Sequence, residues 1–412
     1  MSNDFDRSML TFPILRHEDY PYNGLTFESP KSKAVRPACF LKKPGAFVID
    51  IRGLDRNDSD QVADLITQWA VVAEFDHPGV MPVCLAQSAI LIRQDSPNVD
   101  RRYLLAWHGA RITGSAVVEL HRLDNRHLAQ IAVRVQPQHR RRGIGRALTE
   151  AALDMARQAN RTLAVGSAFA PVDGGLQWTD TGPAFAEKLG FSRALRYVIP
   201  RLDLHAVDKA ACRVMLDSIR RKTRDYEILH WTGATPDDLV SDVAGLKSQV
   251  IAEVPTGDLD LETAEIDTAR LRVQEALSAQ RGERRLTAAV LHIPTGRIVG
   301  YTRLSTNPTT PKHAGVTMTL VEPGHRGRGL GTALKIEIQL RAARQFPLLR
   351  HIETSNADDN AHMIAVNDKL GFTPVGLSDA YQRHMAVETA AGSQTSSRQE
   401  GRLNGRPAGR DD

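Results

Sequence analysis

The sequence predicts an α/β fold in which two domains of the same kind follow one another along the chain. A glycine-rich stretch occurs twice, at 135–145 as Val-Gln-Pro-Gln-His-Arg-Arg-Arg-Gly-Ile-Gly and at 321–331 as Val-Glu-Pro-Gly-His-Arg-Gly-Arg-Gly-Leu-Gly. A pattern of two short strands precedes each copy, and the tetrapeptide Lys-Leu-Gly-Phe follows each copy, at 188–191 and 369–372. Because the order of these features is preserved, the chain is predicted to contain a duplicated domain.

The strands ahead of each glycine-rich stretch are indicated by composition. Runs of β-branched and aromatic residues lie on both sides of a glycine turn, at 103–107 and 111–114 and again at 288–293 and 297–300. This pattern is typical of two antiparallel strands joined by a hairpin.

Helices are predicted on both sides of these hairpins. Polar residues typical of a helix N-terminus lie at 57–59 and 235–238, and each group is followed by a long run of mixed polar and apolar residues. Behind each glycine-rich stretch, apolar residues return with helical spacing, namely Leu148, Ala152, Met155 and Ala159, then Leu330, Leu334 and Ile338. Short strands follow at 162–165 and 351–354.

Changes in composition divide the chain into segments. We expect an N-terminal extension at 1–44, a first domain at 45–204, a connection at 205–220, a second domain at 221–388 and a disordered tail at 389–412. The tail has almost no apolar residues, which is typical of disorder. The connection lacks a Gly/Ser linker, so we expect the two domains to pack against each other.

Composition excludes several classes of protein. The chain has 412 residues, of which 42% are hydrophobic and 25% charged, and a net charge of +5, too small to indicate nucleic-acid binding unless it is concentrated on one face. Its three cysteines form no Cys-x-x-Cys pair, which argues against a disulfide framework and a cysteine-rich metal site and favours the cytoplasm. An acidic start and the lack of a long apolar run argue against export and membrane spans.

The repeated stretch has the character of a phosphate-binding turn. A strand that enters Arg-x-x-Gly-x-Gly and then a helix offers backbone N–H groups at a helix N-terminus, where the helix dipole also favours an anion. A Walker A motif is excluded because no Gly-Lys-Ser/Thr is present, and the dinucleotide motif lacks its third glycine. The alternatives are a solvated basic turn and a nucleic-acid patch, although stacking aromatic residues are missing nearby.

At this point the sequence resembles a known family. The pattern Val-x-Pro-x-x-Arg-x-x-Gly-x-Gly with a later Leu-Gly-Phe is similar to the GNAT superfamily of acyl-CoA-dependent N-acetyltransferases, and its tandem repetition resembles the mycothiol synthase type. The stretch at 353–360 with Met363 and Asn367, and the stretch at 255–258, also resemble tandem actinobacterial members. The resemblance implies two tandem GNAT-like domains, each a splayed mixed sheet flanked by helices, with pantetheine in the gap of the sheet.

The resemblance also implies which residues hold acetyl-CoA, the co-substrate, without a metal. In the first domain they are Val133, Arg134, Val135, Arg140, Arg141, Arg142, Gly143, Ile144, Gly145 and Arg146. In the second they are Thr319, Leu320, Val321, Arg326, Gly327, Arg328, Gly329, Leu330, Gly331, Thr332, Asn356 and Asn360. The strand-end amides would hold the thioester carbonyl, and the turns would hold the pyrophosphate.

The expected catalytic residues are Glu253, Asp258 and Asn367. Many similar proteins carry a Tyr four residues before the glycine of Leu-Gly-Phe, placed to protonate the leaving thiolate, but this chain has Ala186 and Asn367 there. Asn367 would donate a hydrogen bond instead, and Glu253 or Asp258 would act as general base. The alternative is that these acidic residues are solvated and that Asp260 caps a helix beginning just after it.

The predicted function is therefore transfer of an acetyl or related acyl group from acetyl-CoA to a primary amine of a small molecule, by direct attack in a ternary complex. The second domain is expected to be catalytic, because it carries the fuller family pattern. The alternative is a non-catalytic acyl-CoA-binding or sensing protein. Neither nucleic acid nor a membrane is an expected partner.

Overall fold

The computed structural model describes residues 49–96, 98–253 and 257–386, with the side chains of 250–253 excepted. The extension predicted at 1–44 and the tail predicted at 389–412 lie outside the described residues. Within the described part, no helix has both the length and the apolar character needed to cross a bilayer. No group of His, Cys, Asp or Glu side chains there is arranged to hold a metal ion.

The two halves of the chain repeat one succession of elements, which confirms the predicted fold class. The first half contains β1 (Asp50–Gly53), α1 (Ser59–Asp76), α2 (Leu85–Arg93), β2 (Val99–His108), β3 (Arg111–His121), β4 (Leu128–Val135), α3 (Ile144–Gln158), β5 (Leu163–Ala170), α4 (Thr181–Lys188) and β6 (Ser192–Asp203). The second half contains α5 (Lys209–Lys222), β7 (Tyr226–Thr232), α6 (Val240–Glu253), α7 (Thr268–Gln280), β8 (Arg284–His292), β9 (Arg297–Thr306), β10 (His313–Val321), α8 (Leu330–Gln345), β11 (His351–Glu353), β12 (Asn356–Ala357), α9 (Ala361–Lys369) and β13 (Thr373–His384).

Local sequence explains where several helices begin. The side chain of Asp58 accepts hydrogen bonds from the amides of Asp60 and Gln61 and so caps α1. Asp267 caps α7 in the same way. The expectation that Asp260 caps a helix is wrong, because α7 begins only at Thr268 and Asp267 is its cap.

All the strands join one continuous sheet in which the halves exchange their last strands. The order is β1-β2-β3-β4-β5-β13-β6-β11-β10-β9-β8-β7, with β12 also paired to β6. Strand β13 of the second half therefore lies between β5 and β6, and β6 of the first half pairs with β11 and β12. Each half supplies the strand that covers the open edge of the other.

Ion pairs reinforce the exchanged strands. The carboxylate of Asp379 in β13 is buried and accepts two hydrogen bonds of 2.7 Å from the guanidinium of Arg196 in β6. Arg201 of β6 binds Glu353 of β11, with 3.0 Å between Nε and Oε1. Removing one partner from such a buried pair would leave an uncompensated charge, so these contacts favour this strand pairing over others.

Helices cover both faces of the sheet in each half. In the second half, α5, α8 and α9 share one apolar core with β8, β9 and β10, while α6 and α7 form a second core on the opposite face. In the first half, α3 and α4 pack in the core on one face of the sheet, and α1 and α2 pack in a second core on the opposite face. Helix α5 lies in the segment between the halves, where no helix was predicted, and it packs on α8.

The sheet splays open in both halves, as the resemblance implied. Strand β4 pairs with β5 only over Leu128–Gln130, and β10 pairs with β11 only over His313–Gly315. Both β4 and β10 then continue without a parallel neighbour, to Val135 and Val321. Each divergence leaves a gap that leads to a glycine-rich turn.

Candidate functional site

The two glycine-rich turns have the same backbone conformation. Gly143 and Gly329 have φ angles of 86° and 80°, in the left-handed region that favours glycine. Helices α3 and α8 start directly after them, and neither has a hydrogen bond from a capping side chain. The first amides of both helices are thus left for an anion, and the helix dipole adds to that preference.

In the second half this turn opens into a pocket. It encloses about 400 Å³ of empty space, part of it open to solvent. Its lining consists of Val321, Arg326, Gly327, Gly329, Leu330, Gly331, Thr332 and His362. All of these except His362 of α9 were predicted from the sequence. Of the other predicted residues, Arg328 is exposed at the turn, where its Nη1 donates to the carbonyl of Gly324 at 3.0 Å.

Strand β10 ends at this pocket, because its last residue, Val321, is part of the lining. The hydroxyl of Thr354 donates to the carbonyl of Val316 at 3.2 Å and marks the point where β10 and β11 part. The pairing of β10 with β9 shifts between Val316 and Met318, so Thr317 is a β-bulge, whereas β4 pairs with β3 without a shift. A bulge turns backbone groups away from the regular ladder. The hydroxyl of Thr317 is buried and has no partner among the described residues.

The predicted residues Thr319 and Leu320 follow the bulge in β10. Both side chains are buried, and the hydroxyl of Thr319 lies 2.8 Å from that of Thr302 in β9. Their side chains thus belong to the core. Only their backbone can face a ligand in the gap.

In the first half, the chain's own side chains occupy the corresponding region. Arg140 binds the carboxylate of Asp76, with Nη1 to Oδ1 at 2.7 Å and Nη2 to Oδ2 at 2.6 Å. The ring of Phe185 packs on Gly145, where an added Cβ would lie 3.0 Å from it. The side chain of Gln68 donates to the carbonyl of Arg134 at 3.3 Å. The binding of acyl-CoA by this half stays a prediction.

The other predicted residues of the first half lie where the sequence placed them. Val133 and Val135 end β4, Ile144 begins α3 and is buried, and Arg141, Arg142 and Arg146 are exposed around the turn. Arg141 has a φ of 61°, an uncommon conformation for a residue with a side chain. The second half has Gly327 at this position.

The two asparagines predicted to bind the cofactor have structural positions near α9. The Oδ1 of Asn360 accepts from the amide of Met363 at 3.1 Å and so caps α9. Asn356 lies in β12, opposite Val198 of β6, and its side chain is buried. Their predicted contact with the cofactor remains untested.

The acidic residues predicted as general bases lie apart from the pocket lining. Glu253 is the last residue of α6, and its side chain lies outside the described part. Asp258 is exposed, and its amide donates to the carbonyl of Ala194 in β6 at 3.1 Å. Its carbonyl accepts from the Nε2 of Gln382 at 2.7 Å. Their role as bases stays a prediction.

Asn367 is the predicted catalytic residue with the most distinctive surroundings. It is buried, and its Oδ1 accepts a hydrogen bond of 2.8 Å from the Nζ of Lys335 in α8. Lys335 is 1% exposed, and its Nζ lies 5.2 Å from the centre of the Phe372 ring. Burial lowers the pKa of Lys335 to about 7. Lys335 was not predicted, because a lysine in a helix is ordinarily exposed and its neighbours in sequence, which include Glu337, do not mark it as buried.

Comparison with known proteins gives a family assignment. The profile of the Acetyltransferase (GNAT) family matches residues 71–171 and 259–372, about half of the chain. The chain belongs to the GNAT family. It is an acyltransferase of a family that uses acetyl-CoA, and the two matched regions agree with the duplication seen in this GNAT chain.

Solved structures agree with the assignment. A tandem GNAT protein from the clavulanic acid biosynthesis pathway, determined without AcCoA, is 30% identical, with a TM-score of 0.70 over 82% of this GNAT chain and 98% of that one. Two others are 12% identical and share the fold over 82% of this chain. One is the GCN5-related glucosamine N-acetyltransferase region of a fungal multi-domain GH3 β-N-acetylglucosaminidase, with a TM-score of 0.60 and 38% of that chain covered. The other is a GCN5-related N-acetyltransferase from Sphaerobacter thermophilus, with a TM-score of 0.53 and 95% covered. No curated protein matches the chain.

Proposed function

We propose that this GNAT chain transfers an acetyl or related acyl group from acyl-CoA to a primary amine of a small molecule, and that the second half carries out the reaction. The observation that carries this proposal is the pocket at the uncapped start of α8, which Val321 at the end of β10 helps to line, beyond the point where β10 and β11 separate. The matching region of the first half is covered by Phe185 and by the ion pair of Arg140 with Asp76.

The residues of this pocket fit coenzyme A. Gly329 allows the backbone to approach a pyrophosphate closely, and Arg326 and Arg328 supply positive charge beside the free amides of α8. Pantetheine is an extended chain that would lie along β10 beyond its short pairing with β11, and the unpartnered hydroxyl of Thr317 lies in that strand. Acyl-CoA supplies the acyl group as a reactive thioester.

The chain's own contribution to acyl transfer would be positioning and proton handling. Backbone amides of β10 from Thr319 to Val321 would polarise the thioester carbonyl, because donors fixed in a dry cleft stabilise a developing oxyanion. The attacking amine must lose a proton, and Glu253 and Asp258 remain our candidates for its acceptor. The Oδ1 of Asn367 is held by Lys335, which leaves its Nδ2 as the available donor.

One relative bears on the nature of the acceptor. The relative that is 30% identical comes from the biosynthesis of a small molecule, which supports a small amine rather than a protein lysine. We place the reaction in the cytoplasm, because Cys84 and Cys212 are free thiols. The alternative, a non-catalytic acyl-CoA-binding protein, is favoured by the lack of a Tyr at both Ala186 and Asn367.

Two measurements test this proposal. Calorimetric titration of the full chain with acetyl-CoA should show binding, and Gly331→Leu, which fills the start of α8, should abolish it. Release of free CoA thiol in the presence of a panel of small primary amines should then exceed the rate without amine. Binding without amine-dependent thiol release from any acceptor would favour the non-catalytic alternative. Absence of binding would refute the proposal.

A further inference from the structure

A line of polar residues runs along one side of α8. Gly331, Lys335 and Gln339 are spaced by four residues and lie on the same face of the helix, where the side chains of Lys335 and Gln339 follow the bare backbone of Gly331. Gly331 lines the pocket, and Lys335 lies about 6 Å further along the axis, at 1.5 Å per residue. Lys335 and Gln339 are both buried, at 1% and 2% exposure.

Helix α9 contacts this line of α8 through Asn367. His362 lines the same pocket as Gly331, and Asn367 lies little more than one turn further along α9. The hydrogen bond from Lys335 to Asn367 therefore bridges α8 and α9 about one to one and a half helical turns beyond the residues that line the pocket. Under the proposed function, the pantetheine chain would pass this bridge on its way from the pyrophosphate to the gap.

The polar atoms of this bridge are not fully satisfied. Asn367 is the one hydrogen-bond partner of the Lys335 ammonium within the described chain. The Nδ2 of Asn367 and both amide atoms of Gln339 are buried without any partner there. Buried polar atoms normally find partners, and the exceptions point to a missing water or ligand.

The charge of Lys335 is also unusual. Other ionisable side chains of the surrounding elements are exposed or paired among themselves: His362, Asp368 and Lys369 are exposed, Glu337 contacts Arg220, His230 and Arg341, and Glu353 pairs with Arg201. A lysine buried without a carboxylate beside it holds its proton less tightly than an exposed lysine does. Burial alone lowers its pKa to about 7, where a general acid is most effective.

We propose that Lys335 is the acid that protonates the CoA thiolate as it leaves, with Asn367 holding the Lys335 amine in place. This inference rests on the proposed function. The family resemblance implies a proton-donating Tyr at the position of Asn367, and in this chain the proton-bearing group beside Asn367 is the Nζ of Lys335, at 2.8 Å. Lys335 would thus replace the missing hydroxyl from the neighbouring helix.

The step balances in atoms and electrons. The amine nitrogen uses its lone pair to form a bond with the acyl carbon, and the C–S bond breaks with its electron pair remaining on sulfur. The Nζ of Lys335 gives one proton to that sulfur and becomes a neutral amine. The attacking nitrogen loses its own proton to a base or to water, and solvent reprotonates Lys335.

The first test compares Lys335→Met with Lys247→Met. Lys247 is an equally buried lysine whose Nζ lies 2.7 Å from the Oε1 of Gln274, in the core on the opposite face of the sheet. We expect Lys335→Met to lower kcat at least tenfold, with KM for acetyl-CoA changed less than about threefold. Lys247→Met should stay within about twofold of the parent at matched folding. A thioester with a more acidic thiol should recover most of the lost rate.

The pH dependence supplies a second test. The kcat of the parent should fall as pH rises through the pKa of Lys335, because the acid must hold a proton, and this fall should vanish in Lys335→Met. Asn367→Asp places a carboxylate beside the ammonium, so the fall should move to higher pH. If Lys335→Met keeps both the kcat and the falling limb of the parent, the inference is overturned.

A binding measurement separates this inference from the proposed function. CoA and desulfo-CoA differ only at the sulfur, so the ratio of their affinities reports on contacts of the thiol. In the parent, the affinity for CoA divided by the affinity for desulfo-CoA should rise severalfold between pH 6 and pH 8. Over this range the amine of Lys335 loses its proton and can accept a hydrogen bond from the thiol. In Lys335→Met the ratio should be flat. A flat ratio in a parent that binds CoA and turns over would overturn the role of Lys335 alone, whereas a parent that does not bind CoA would overturn both proposals.

Discussion

Replacing Lys335 by Met should change how the stability of the protein depends on pH. Met has a similar length and no charge, so it can fill the space between α8 and α9 without a buried ammonium. The pKa of Lys335 is lowered by burial from 10.5 to about 7. At about 1.4 kcal/mol per pKa unit, this difference corresponds to about 5 kcal/mol of unfolding free energy.

The direction follows from counting protons. Between pH 7 and pH 10.5 the unfolded chain holds a proton on Lys335 that the folded chain has largely released, so the stability of the parent rises with pH in this range. Below pH 7 both the folded and the unfolded chain hold the proton, so the cost of burying the charged amine of Lys335 has its full value and does not change with pH. Lys335→Met has no such group. It should therefore be more stable than the parent at neutral pH, and its advantage should shrink by about 2–3 kcal/mol between pH 7 and pH 9.

Urea unfolding of both proteins at several pH values from 6 to 9 measures this difference. Because every other titrating group is common to the pair, the difference between the two unfolding free energies isolates Lys335. A difference that stays constant across this range would show that Lys335 keeps an ordinary pKa. A variant less stable than the parent at every pH would show that the amine supports the fold, and either result would refute the reasoning.

Three further predictions concern other parts of the molecule. Gly331→Leu should abolish acetyl-CoA binding in calorimetry with little change in thermal unfolding, whereas Gly145→Leu should cost about 1–3 kcal/mol of stability, because an aromatic ring lies 3.0 Å from its added Cβ, and should leave turnover intact. Burial lowers the pKa of His121 to about 4, so on acidification the unfolded chain binds a proton at this residue before the folded chain does. The free energy of unfolding measured by urea titration should therefore fall by about 3 kcal/mol between pH 6.5 and pH 4, and the fall should be smaller in His121→Gln. Residues 49–204 and 205–386 should aggregate when expressed alone, because each would expose sheet edges, and should form a one-to-one complex in ultracentrifugation when expressed together.

The glycine-rich turns could be predicted because their signals are local. Gly143 and Gly329 need a left-handed backbone, and the residues around each turn determine the start of the following helix. The second-half pocket is consequently lined by residues that the sequence had already singled out. The splay of the sheet came from the resemblance, since no local pattern shows where two parallel strands separate.

The strand exchange and Lys335 could not be predicted in this way. Strands β6 and β13 have the same local character whether they pair within their own half or across the two, and the choice depends on partners such as Arg196 and Asp379, which are far apart in sequence. The burial of Lys335 depends on Asn367 of α9 and on Phe372, which lie more than 30 residues away in the sequence. A polar residue in a helix is ordinarily exposed, so the sequence alone favoured the wrong environment for it.

The exchange explains why the first half would be retained even if only the second half catalyses. Strand β11 has three residues, and β6 of the first half is its antiparallel neighbour on the side away from β10. Without β6, the edge that holds β11 beside the gap would be open, and the gap itself would lose a fixed wall. The first half can therefore close its own turn with Asp76 and Phe185 and still be required, because its last strand supports the site of the second half. Arg201 of β6 holds Glu353 of β11, so a substitution at Arg201 should weaken the pairing of these strands. Loss of acetyl-CoA binding in such a variant would show that the site of the second half depends on β6.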